Sequence, residues 1–116
     1  VAFILFNSNK QTEFTIIEET SVLEINGLYS KTISIDENTE IAIVSPISIT
    51  RRTNGSSIGN TKKGYFTLEG DQAVYLNLGD SSEYWIEIVN GDDYYYINYK
   101  SPTDTVILYN DLLDLQ

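Results

Sequence analysis

The stretch Glu83–Tyr99, EYWIEIVNGDDYYYINY, decides the fold. Two runs of β-branched and aromatic residues flank Asn90-Gly91-Asp92, and Asn-Gly is a favoured pair for a tight β-hairpin. Closing the turn on Asn90-Gly91 or on Gly91-Asp92 shifts the register by two residues, so the sorting of faces is the same. One face collects Tyr84, Ile86, Ile88, Tyr95, Ile97 and Tyr99 and is assigned to the core. The other collects Glu83, Trp85, Glu87, Val89, Tyr94, Tyr96 and Asn98 and is expected to face outward.

Working outward, helical periodicity is nearly absent and short apolar runs recur between Gly, Asn, Asp and Ser clusters. Strands are expected at Val1–Phe6, Glu13–Glu18, Ser21–Ile25, Leu28–Ile35, Ile41–Thr50, Gly64–Leu68, Ala73–Leu78, Glu83–Val89, Tyr94–Tyr99 and Thr105–Tyr109. About ten short strands in one 116-residue domain point to a mostly antiparallel β-sandwich, jelly-roll-like or Ig-like. The tail 110–116 is read as one helical turn or a last strand.

Within Ile41–Thr50, Ile41, Ile43, Ile47 and Ile49 alternate and are assigned to one core face. Pro46 lacks a ladder donor, so this is an edge strand or one interrupted near Ser45-Pro46. Gly70-Asp71 marks a second hairpin. An odd loop there keeps Phe66 and Leu68 on the face of Val74 and Leu76. Asn26-Gly27 suggests a third, in which Lys31 falls on the side of Ile33 and Ile35. A bulge is the expected repair.

The chain has 17 acidic and 7 basic residues and no His, Cys or Met. Without His and Cys there is no Ser-His-Asp or Cys-His catalysis, no zinc finger and no disulfide. Abundant Asp and Glu make carboxylate pairs inevitable and uninformative, and no nucleotide motif is present, so a non-enzymatic protein is expected. A net charge of −10 disfavours nucleic acid as a partner. No apolar run nears the ~20 residues of a membrane span, so membrane insertion is not expected. Residues 51–63, RRTNGSSIGNTKK, hold four cations and no acid, and are read as a basic loop. The other three cations face all seventeen acids, a balance of −14.

The outward strip of the decisive hairpin is the first candidate site. Trp85, Tyr94 and Tyr96 offer rings, and Glu87 and Asn98 offer hydrogen bonds, which suits a glycan or a protein ligand. The second candidate is metal binding. If successive strands alternate in direction, loops 36–40, 69–72 and 90–93 share one end. Asp36, Asp71, Asp92 and Asp93 would then gather there as oxygen ligands for Ca²⁺.

These features suggest a secreted or cell-surface binding module, and an opening on Val1 fits a removed leader or a preceding segment. Two alternatives stand beside it. One is a structural or assembly subunit, or a homo-oligomer, using Val1–Phe6 or the aromatic face. The other is an acidic inhibitor of a basic partner.

Overall fold

A computed structural model describes residues 13–116 in full and residues 3–5 as backbone; Val1, Ala2 and Phe6 of the expected first strand lie outside the described residues. The protein is all-β and mostly antiparallel, with two sheets and one helix among the described residues. The smaller sheet is a meander of β1 (Phe3–Leu5), β2 (Phe14–Ile17), β3 (Val22–Ile25) and β4 (Lys31–Ser34). The larger contains β5 (Glu40–Val44), β6 (Ile49–Ile58), β7 (Thr61–Leu68), β8 (Gln72–Leu78), β9 (Trp85–Asn90) and β10 (Asp93–Asn98). Its spatial order is β5-β9-β10-β8-β7-β6. Among the described strands only β8 and β10 pair in parallel.

The decisive hairpin closes on Gly91-Asp92, with Asn90 opposite Asp93 and Tyr96 opposite Glu87. Gly91 has φ +59, which the turn requires and which costs glycine nothing. The β7–β8 loop is three residues long and sets Phe66 against Val74.

The two sheets enclose the first core. Phe14, Ile16, Leu23, Ile25, Ile33 and Ile35 pack against Tyr75, Ile86, Ile88 and Ile97. An ion pair also joins the sheets, with Lys63 Nζ at 2.7 and 2.8 Å from the carboxylate oxygens of Glu13.

The opposite face of the larger sheet forms a second core from Phe66, Leu68, Val74, Leu76, Leu78, Trp85 and Tyr96. Chain connectivity explains it. Val44 and Ile49 lie on opposite edges of the six-stranded sheet and only five residues apart. Five extended residues reach about 17 Å, whereas five inter-strand gaps in a flat sheet span about 24 Å. The sheet must therefore coil, bringing these corners together over its concave face. Val44, Ile47 and Ile49 pack onto the second core from that strap.

Several expectations are corrected. The isoleucines of 41–49 do not share a core: Ile41 packs on the first, Ile47 and Ile49 on the second. The chain breaks at Ser45-Pro46, as a proline there allows. The β3–β4 pairing is regular, with Ile25 opposite Lys31 and no bulge. The basic segment 51–63 is mostly a hairpin, β6 and β7, with two register shifts in β6.

The expected strand Thr105–Tyr109 lies inside a helix, α1 (Pro102–Leu113). Ser101 caps it, its side chain accepting from the Asp104 N–H at 3.2 Å, and Pro102 opens the first turn. Thr105, Leu108 and Leu112 form its buried stripe, a helical spacing hidden in a β-branched run. No helix among the described residues is long and apolar enough to cross a membrane.

Candidate functional site

The expected aromatic strip sorts to one face, but that face is interior. Trp85 is 1% exposed, Tyr96 3% and Asn98 1%. The coiled sheet and its strap cover them, so no flat ring is presented. Trp85 Nε1 donates to the Ser81 carbonyl at 3.0 Å. The Tyr96 hydroxyl donates to Glu87 Oε2 at 2.6 Å. Burial, and then the Glu87 contact, push the Tyr96 phenol well above the usual range. Asn98 Nδ2 donates to the carbonyls of Asp80 and Tyr84, both at 2.8 Å, and its oxygen accepts from the Asp80 N–H. These bonds fasten the loop between β8 and β9. Only Tyr94 and Glu87 of the five remain partly exposed.

Loop ends sort as strand alternation requires. The Thr39 hydroxyl donates to Asn90 Oδ1 at 2.6 Å, joining loops 36–39 and 90–93. At the opposite end, the Ser81 N–H donates to the Asn60 carbonyl. The four aspartates nevertheless do not assemble a metal centre. Among the described residues, no group of three or more Asp or Glu is placed to hold an ion. Asp36 instead accepts from the Asn38 N–H at 2.8 Å, closing its own loop. Asp71 sits in a tight turn at φ +64.

Another aromatic array stands on the first-core side of the larger sheet. Tyr65 on β7 pairs with Tyr75 on β8, and Tyr75 pairs with Tyr95 on β10. The rings meet edge to face, with centroids 5.6 and 6.1 Å apart. Tyr75 is buried and donates to the Tyr29 carbonyl. Burial pushes its phenol up to about 12. Tyr65 is 37% exposed. Lys31, the first residue of β4, reaches across from the smaller sheet. Its Nζ lies 5.1 Å from the Tyr65 centroid and 5.5 Å from that of Tyr75, within cation–π range.

Around this shelf lies an open hollow of about 510 Å³, bordered by Thr53, Gln72, Asp92 and Asp93. Burial chiefly, and then Asp93, raise the Tyr95 phenol, while Lys31 works against them. Tyr75 and Tyr95 are therefore neutral hydrogen-bonding groups at neutral pH. The shelf thus combines the partly exposed Tyr65 ring, one partly exposed cation and a polar, acidic border.

Of the sequence-predicted residues, Tyr94, Asp92 and Asp93 line the hollow, the two aspartates in a different role. It adds Lys31, Tyr65, Tyr75 and Tyr95. One signal for it was present: Lys31 shares the inward parity of Ile33 and Ile35, and an inward lysine needs something to face. No family model, curated protein or solved structure matches the chain.

Proposed function

We propose that this chain is a non-enzymatic binding module of an exported or cell-surface protein, that its ligand is another protein, and that the Tyr65–Tyr75–Tyr95 shelf is the contact surface. The observation that carries this reading is the tyrosine ladder, with Tyr65 37% exposed beside an open hollow. Tyrosine combines large contact area with few rotatable bonds and a polar tip, which is why it is enriched at protein interfaces. A glycan ligand needs a free ring face to stack on. Here the Lys31 ammonium lies over Tyr65 and Tyr75, and a neutral sugar that displaced it would bring no cation in exchange, which favours a protein. The absence of His and Cys supports the non-enzymatic part.

Wild-type and Tyr65→Ala proteins, immobilised side by side, test the reading. A partner held by the wild type should bind the variant about tenfold or more weakly, as for an interface anchor. The melting temperature should barely move, because Tyr65 is only partly buried. Equal affinity for both proteins, or saturable binding of a neutral glycan that ignores Tyr65, contradicts it.

A second reading, an assembly subunit, is favoured by one observation. The apolar residues Val106, Ile107 and Leu113 of α1 are 40%, 48% and 36% exposed. Sedimentation over a wide concentration range tests it. An oligomer abolished by Ile107→Glu supports it, and a monomer throughout removes it.

A further inference from the structure

We propose that the tyrosine shelf is a cation-recognition site for a lysine side chain of a basic protein partner, and that Lys31 occupies it in the free protein. This rests on the shelf being the protein-binding surface and names the group it takes.

Three observations carry it. The ammonium of Lys31 is shared by two rings, Tyr65 and Tyr75, with Tyr95 beside them. A pocket that seats one alkylammonium has the size and electrostatics to seat another, since the negative faces of the rings favour any such cation. Secondly, the contacts that hold the Lys31 ammonium are ring faces. Among the described residues no carboxylate lies within ion-pair distance of it. It is partly exposed and begins an edge strand, so its long stem can swing to solvent. Thirdly, the surroundings are negative. Asp92 and Asp93 border the hollow, and the whole chain carries −10. Such a field draws basic partners in and disfavours an anion at the same place.

The exchange is one ammonium for another. The incoming lysine takes the ring faces and Lys31 moves into water beside the aspartates. No additional charge is buried, so the resident lysine sets a threshold: only a ligand that also contacts the rim displaces it. The observed affinity is reduced by the fraction of time the shelf is filled by Lys31.

The test is an NMR titration of the isotope-labelled protein at fixed ionic strength. The probe is the blocked peptide acetyl-Gly-Lys-Gly-amide, with the norleucine peptide as uncharged control. In the wild type the lysine peptide should shift the signals of Tyr65, Tyr75 and Tyr95 and release the Lys31 ε-methylene protons from the rings. Lys31→Gln should bind the peptide about fivefold or more tightly, and adding Tyr65→Leu should abolish this. Equal response to the norleucine peptide, no gain in Lys31→Gln, or no response at tens of millimolar overturns the proposal. Should Lys31→Gln not fold, the wild-type Lys31 signals decide alone: binding that leaves them unmoved overturns it. A partner lost in Tyr65→Ala without any response to the lysine peptide leaves the binding surface standing and removes the cation site.

Discussion

Trp85 meets Tyr96 edge-on, ring centroids 5.4 Å apart, inside the coil of the larger sheet. The pair sits on the face that strand alternation assigns to the exterior. Its burial turns a candidate binding surface into a second core.

Trp85→Ala should therefore cost about 3–5 kcal/mol, as for a large aromatic removed from a packed interior. The shift of the urea midpoint measures it. The single tryptophan should also resist quenching by acrylamide until the protein unfolds. A loss below about 1 kcal/mol with free quenching would put the ring outside the core.

Alkaline pH should destabilise the protein through its tyrosines. Burial pushes Tyr75 up to about 12, and Tyr96 and Tyr99 are raised as well. Their unfolded value is about 10. Below about pH 10 both states hold these protons and stability is unaffected. Between about 10 and 12 the unfolded state loses them first, so stability falls as pH rises. Urea midpoints and phenolate absorbance across that window check it. Stability that is flat to pH 12 contradicts it.

Tyr99→Phe should leave stability unchanged or raise it by up to about 1 kcal/mol. The Tyr99 hydroxyl is buried and has no hydrogen-bond partner among the described residues. Burial, with the Asp104 and Glu13 carboxylates nearby, keeps it protonated. Removing an unpaired buried hydroxyl removes a desolvation penalty. The ring itself, packed edge-to-face on Phe14 at 5.0 Å, is retained. Thermal melts of the two proteins decide, and a loss of more than about 1 kcal/mol would show that the hydroxyl is satisfied.

The all-β class and the sorting of residues 85–98 were legible because period-two alternation and the Asn-Gly turn are local; Tyr84, assigned to the core, lies before β9 and is 51% exposed. What the two faces meet is not local. Trp85 is buried because Val44 and Ile49 must be joined by a short strap across the coiled sheet, a constraint that appears only with strand order. The same limit hid the shelf. Tyr65, Tyr75 and Tyr95 belong to three strands, and β8 beside β10 is a parallel pairing no hairpin signal announces. The helix was missed for another reason. Thr105, Val106 and Ile107 are strand-favouring by type, while Ser101-Pro102 and the 105–108–112 spacing act together to start and bury a helix. Lys31 was the readable anomaly, an inward lysine whose explanation lay on the other sheet.

The shelf is defined by the Lys31 ammonium lying over Tyr65 and Tyr75, and the ε-methylene proton shifts of Lys31 measure that most directly. In the wild type they should lie clearly upfield of an ordinary lysine, because they sit in the ring currents of both tyrosines, and they should move back toward the ordinary value in Tyr65→Leu. Ordinary lysine shifts in the wild type, unchanged by Tyr65→Leu, would contradict it.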